Sequence, residues 1–212
     1  HIVPHGNYLP FIKKEKDKSK SKIKLNLPEN KKIILFFGLI KEVKGLEVLL
    51  KSLKKVVEQH RDIRLLIAGK IWKNDFSKYQ KIIDEKKLND YCILHTKFIP
   101  HYLVKHYYAA SELVVLPYKR IYQSGVLMMT LSYEKPVLVS DLPPLTEVIN
   151  DNVNGYVFKS EDSKSLSHKL NKIFSEYEKL LNISNQGFKE VKEKFDWNNV
   201  GYLTAKAYGS IY

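Results

Sequence analysis

The chain has 212 residues, 44% of them apolar, enough for one domain with a substantial core. Its net charge of +13, from 36 basic and 23 acidic side chains, points to phosphates or anionic surfaces as partners. One cysteine, Cys92, excludes an intrachain disulfide framework, and no run approaches the ~20 apolar residues of a membrane span.

The chain opens on His1 and its methionines are the pair Met128 and Met129, so it is expected to be a piece of a longer protein. Residues 13–24 carry Lys13, Lys14, Lys16, Lys18, Lys20, Lys22 and Lys24 without apolar periodicity, and are expected to form a Lys-rich loop. That loop is either simply solvated or a patch for lipid headgroups and phosphates. Nucleic acid is not an expected partner, because aromatics do not interleave with the basic run and no reader motif occurs.

Lys32 to Gly38 reads as a strand. Gly45 to Gln59 follows with Leu46, Leu49, Leu50, Leu53, Val56 and Val57 at helical spacing. Ile63 to Gly69 is the next strand and Asp75 to Lys87 the next helix. Further strands are expected at Tyr91 to Leu94, Leu113 to Leu116, Val137 to Ser140 and Tyr156 to Phe158. The intervening helices fall around Tyr102 to Ala110, Gly125 to Tyr133 and Leu145 to Ile149. Ser163 to Tyr177, Leu181 to Lys194 and Trp197 to Tyr208 close the chain as three helices, the first capped by Asp162 or Ser163. Short, continuously apolar strands alternating with helices predict an α/β, Rossmann-like three-layer domain: a mostly parallel sheet of about six strands, helices on both faces and C-terminal helices.

In such a sheet ligands bind at the carboxyl ends of the strands. Three loops there carry suitable residues. Gly38 to Gly45 ends a strand on glycine and places Lys41 and Lys44 before a helix. Gln123-Ser124-Gly125-Val126 opens another helix, where unpaired N–H groups favour an anion, most often phosphate. Lys97-Phe98-Ile99 is placed to flank a base, so that the three loops together describe a nucleotide-diphosphate site. The histidines, among them His5, His95, His101 and His106, show no metal-ligand spacing. Cys92 reads as a core residue.

Several segments in this order also match a known pattern. His1-Ile2-Val3-Pro4-His5-Gly6-Asn7 is similar to "v-P-H/N-G-v-D". Phe36-Phe37-Gly38-Leu39-Ile40-Lys41-Glu42-Val43-Lys44-Gly45 is similar to "F-F-G-x-I-R-x-x-K-G", and Leu65 to Gly69 to "L-x-I-A-G". Phe98-Ile99-Pro100, Tyr108 to Ser111, Leu116-Pro117-Tyr118, Gln123 to Val126, Lys135-Pro136-Val137, Asn154 to Phe158 and Phe195-Asp196-Trp197 follow in sequence. Across nearly its whole length the chain resembles the C-terminal, donor-binding domain of a retaining glycosyltransferase of family 4, with the GT-B fold.

That resemblance implies an interdomain linker over residues 1–30, a nucleotide-sugar-binding Rossmann-like domain over 31–195 and, over 196–212, a helix packing back toward a missing N-terminal acceptor domain. The donor would be a UDP- or GDP-sugar and the acceptor a polysaccharide or glycolipid, with no metal or other cofactor. The enzyme would be cytoplasmic, or peripheral at the inner face of the cell membrane. The donor residues would be Gly38, Lys41, Lys44, Lys97, Phe98, Ile99, Gln123, Ser124, Gly125, Val126 and Met129, with no catalytic residue assignable.

The family's Glu-x7-Glu pair falls on Ile121 and Met129, so neither carboxylate is present. Glu112 and Glu134 are the neighbouring carboxylates, and Glu147 is expected to stabilise a helix start. The missing pair raises an alternative: a degenerate, non-catalytic module acting in protein or membrane interaction.

Overall fold

The computed structural model describes residues 3–209; His1 and Ile2 of the opening motif and the last three residues of the C-terminal helix segment lie outside the described residues. Six strands form one sheet in the order β3-β2-β1-β4-β5-β6. They are β1 (Lys32–Phe37), β2 (Ile63–Ala68), β3 (Cys92–His95), β4 (Leu113–Leu116), β5 (Val137–Ser140) and β6 (Tyr156–Phe158). Every pairing is parallel. The fold is therefore the Rossmann-like α/β sandwich expected from the sequence.

Nine α-helices pack around the sheet among the described residues: α1 (Lys18–Lys24), α2 (Leu46–Gln59), α3 (Ser77–Glu85), α4 (His101–Ala110), α5 (Gly125–Ser132), α6 (Pro143–Thr146), α7 (Ser163–Ser175), α8 (Lys179–Lys194) and α9 (Trp197–Gly209). Alternation along β1 shows why both faces are covered. Ile34 and Phe36 join one core with the apolar stripes of α2 and α7, while Ile33 and Leu35 join the other with α4 and α5. All four are at most 1% exposed, as a sheet with helices on both faces requires.

The Lys-rich segment is not a loop throughout. Residues 18–24 form α1, capped by the Asp17 carboxylate, which accepts the Lys20 N–H at 2.8 Å. Lys22 is buried, and its ammonium donates to the carbonyls of Glu29 and Lys31. Leu25 and Leu27 then enter the core. Asn7 ties the first residues to the last helices: its N–H donates to the Phe195 carbonyl at 2.7 Å, and its own carbonyl accepts the Trp197 indole N–H at 2.9 Å.

The sheet order sets the site. After β1 the chain turns one way to β2 and β3, and β4 returns to the other side of β1. The loops leaving β1 and β4 therefore diverge from adjacent strands, which opens a crevice at their carboxyl ends.

Candidate functional site

The loop after β1 is held by two close backbone approaches. Gly38 donates its N–H to the Ala68 carbonyl at 2.9 Å, and a parallel bridge between Ile40 and Ile71 carries the pairing one step further. At the other end Gly45 has φ +65°, and a Cβ there would lie 1.8 Å from the Pro117 carbonyl oxygen, so only glycine lets this loop touch the end of β4. The Lys119 N–H donates to the Val43 carbonyl at 2.9 Å, joining the β1 and β4 loops directly.

This framework gathers two cations. The Lys44 ammonium stands 3.7 Å from the centroid of the Tyr118 ring, and Lys41 stands 5.2 Å from that of Trp72. Lys119, beside them, is neutralised by Glu47 at 3.0 Å. Lys41 and Lys44 form no ion pair among the described residues. Burial, with a further push from Lys41, lowers the Lys44 pKa from 10.5 to about 8. A half-buried ammonium without a counterion is a place that gains from an incoming anion.

The helix start beside it offers donors. Ser124 is buried and caps α5; its hydroxyl accepts the Leu127 N–H and its carbonyl the Met128 N–H, each at 3.2 Å. The N–H groups of Gly125 and Val126, ahead of these, therefore have no partner within the helix. Gly38 lies against this turn, since a Cβ on it would be 3.4 Å from the Val126 side chain. Tyr118 is 1% exposed, its hydroxyl buried without a hydrogen-bond partner among the described residues. The loop that carries Lys41 and Lys44 thus lies against the start of α5 through Gly38 and Val126, with Lys44 over the Tyr118 ring, an arrangement suited to a doubly charged phosphate group.

Gln123 is exposed, its amide donating to the Val3 carbonyl at 3.4 Å. It lines a cavity of about 370 Å³ with Pro4, His5, Ser124 and Glu147. Glu147 is not at a helix start: α6 begins on Pro143, whose fixed φ suits a first turn, so Glu147 falls at its C-cap. Lys97, Phe98 and Ile99 line a separate hollow of about 310 Å³ at the end of β3, where the His95 ring meets the Tyr107 hydroxyl at 2.9 Å. Phe98 is 74% exposed there. Ile121 and Met129 are part-buried and pack against the core.

Neither neighbouring carboxylate reaches the crevice. Glu112 precedes β4 at the opposite end of the strands, accepting from the Ile33 N–H and the Lys18 ammonium. Glu134 follows α5 and pairs with Lys14 at 2.8 Å. Among the described residues no group of three or more His, Cys, Asp and Glu side chains could hold a metal ion, and no helix is long and apolar enough to cross a membrane. Cys92 is half-buried, its thiol pushed up to about 12 by burial.

Tyr118 and Trp72, the two aromatic partners of the lysines, were not assigned from the sequence. Tyr118 was visible there within Leu116-Pro117-Tyr118. Trp72 had no signal beyond its type, because the Ile40–Ile71 bridge that brings it to Lys41 is a tertiary pairing.

Comparison with known proteins places these features. Residues 17–190 match the family model described as "Glycosyl transferases group 1". An uncharacterized glycosyltransferase of Methanocaldococcus jannaschii is 26% identical over 189 residues, covering 87% of this chain and 46% of that protein. A GDP-mannose:glycolipid 4-beta-D-mannosyltransferase of Xanthomonas campestris pv. campestris is 27% identical over 180 residues, covering 82% and 48%. The crystal structure of Anabaena HepE in complex with UDP-glucose superposes with a TM-score of 0.84 at 16% identity, over 97% of this chain and 56% of that one. The chain spans about half the length of the curated relatives it matches, and its sandwich is one half of a GT-B fold. With the family model spanning most of its length, this chain belongs to the group 1 glycosyl transferases.

Proposed function

We propose that this chain is the nucleotide-sugar-binding half of a retaining glycosyltransferase of family 4. It would serve the transfer of a hexose-type sugar from a UDP- or GDP-sugar to a polysaccharide or glycolipid. The reading rests on Lys41 and Lys44, which form no ion pair among the described residues, in the loop after β1, and on the open N–H groups at the start of α5, whose Val126 side chain lies against Gly38 of that loop. The relatives named above support the donor class, one acting with GDP-mannose and one holding UDP-glucose.

In this reading the donor diphosphate lies across the α5 start, with its oxygens on Gly125 and Val126 and its charge met by Lys44 and Lys41. Breaking the anomeric bond leaves negative charge on the diphosphate, and fixed cations and N–H dipoles lower the barrier by stabilising it where it develops. The two lysines provide positive charge in place of a divalent cation, so the proposed donor site uses no metal. Lys97, Phe98 and Ile99 flank the base, and Gly38 leaves room for the sugar. Gln123 and Met129 border the donor, without the carboxylates common at Ile121 and Met129.

An acceptor domain N-terminal to this one completes the cleft, with residues 1–30 as linker and 196–212 as the helix returning to it. Exposed Trp197, Tyr202 and Tyr208 on α9 suit that contact. The enzyme would work in the cytoplasm or against the inner face of the cell membrane, making surface polysaccharide or glycolipid, and this chain alone would transfer nothing. Calorimetric titration of the chain with UDP, GDP and ADP tests the reading. Binding of one of them, weakened in Lys44→Ala, is expected. A folded chain that binds none sinks it and favours a non-catalytic module.

A further inference from the structure

A different surface carries a second anion site. Between α1 and the first half of α4 lies a hollow of about 580 Å³, larger than either of those at the donor edge. Lys13, Lys20, Lys24 and Lys105 line it, with Glu15 as its carboxylate.

Six of the seven lysines of the N-terminal segment sort into two sets, with Lys16 outside both. Lys14, Lys18 and Lys22, spaced by four, are all engaged: with Glu134, with Glu112 and with the carbonyls of Glu29 and Lys31. Lys20 and Lys24, also one turn apart, face the hollow with Lys13. Across it stands Lys105 of α4, a helix tied to α1 where the Ser21 hydroxyl meets the His106 ring at 3.0 Å. None of these four ammonium groups has a hydrogen bond or ion pair among the described residues.

Glu15 offsets only part of this charge: it attracts Lys20 and Lys105 but pairs with neither. Its carboxylate is held in its own turn by the N–H groups of Asp17 and Lys16, at 3.2 and 3.0 Å. Four lysines against one glutamate leave a net +3 before either histidine is counted. Lys13, Lys20 and Lys24 are exposed and Lys105 half-buried, so solvent screens their repulsion while the hollow presents a net positive field to an incoming anion. Tyr102, 68% exposed on the rim, and Tyr133, 7% exposed on the floor, add ring surface on which an organic moiety can pack.

We propose that this hollow binds a phosphate ester, its phosphate on Lys20, Lys24 and Lys105 and its organic part against Tyr102, independently of the donor crevice. Two sources present that chemistry, a free sugar phosphate and the phosphate headgroup of a lipid. Glucose 6-phosphate is titrated calorimetrically into the 212-residue chain, and the chain is cosedimented with vesicles of phosphatidylcholine with and without phosphatidic acid. Lys20→Gln/Lys105→Gln is the test variant and Lys44→Ala the control.

Glucose 6-phosphate binding that falls about tenfold or more in the double variant and persists in Lys44→Ala supports a free ester as ligand. Cosedimentation that requires phosphatidic acid and is lost in the double variant supports the headgroup. Absence of both kinds of binding overturns the proposal, as does binding that the double variant leaves unchanged. Should the double variant melt early, Lys24→Gln alone, with the α1 cap and the Ser21–His106 contact untouched, provides the same reading.

Discussion

The Lys44 ammonium makes the donor crevice sensitive to pH in a defined direction. Its pKa is lowered from 10.5 to about 8 in the unliganded chain, first by burial and then by Lys41. A diphosphate brought against it favours the charged form and raises that pKa again. At pH 7 about nine-tenths of the molecules carry the charge, and at pH 9 about one-tenth. If binding needs the charged lysine, the dissociation constant of a nucleoside diphosphate rises about tenfold between pH 7 and pH 9, a loss of about 1.4 kcal/mol.

Folding responds oppositely. Between about pH 8 and pH 10.5 the unfolded chain holds the Lys44 proton and the folded chain does not, so this group increases stability as pH rises across that window. The assay is calorimetric titration with UDP or GDP at pH 7, 8 and 9, repeated with Lys44→Met to remove contributions from the base. Wild type is expected to weaken while Lys44→Met stays flat and weak. Equal pH dependence in the two proteins would refute the role given to Lys44.

Gly45→Ala forces a Cβ to within 1.8 Å of the Pro117 carbonyl at a left-handed φ, so a loss of about 3 kcal/mol is expected. Differential scanning calorimetry should then show a melting temperature lower by about 6–12 °C. Tyr118→Phe removes a buried hydroxyl that has no partner among the described residues, and the unliganded chain is expected to keep its stability or gain up to about 1 kcal/mol. Cys92, with its thiol raised to about 12, is expected to resist alkylation by iodoacetamide at pH 8 until denaturant exposes it. A rapid reaction of the native chain would contradict its burial.

Much of the architecture was legible because the strands are continuously apolar. Ile33 to Phe36 and Leu113 to Leu116 have no polar interruption that an amphipathic helix would show, and these residues are at most 1% exposed. Helix α1 was not legible. Its Lys-Ser repeat has no apolar stripe, and it forms because Asp17 caps it, Lys22 satisfies two loop carbonyls and α4 gives it a surface. Strand order was beyond local pattern, yet it is what sets the β1 and β4 loops side by side. Glycine and lysine spacing pointed to the residues of the crevice. Their partners Tyr118 and Trp72 depend on contacts between segments distant in the chain, as does the separation of the Lys97–Ile99 hollow from the lysines.

The central claim is that the N–H groups of Gly125 and Val126, together with Lys44, receive a diphosphate. Amide NMR on the isotopically labelled chain tests it most directly, by adding UDP or GDP and, in parallel, the corresponding nucleoside. The account predicts that at saturation the diphosphate shifts the Gly125 and Val126 amide signals downfield and that the nucleoside leaves them in place. Saturable nucleotide binding that moves neither amide would contradict it.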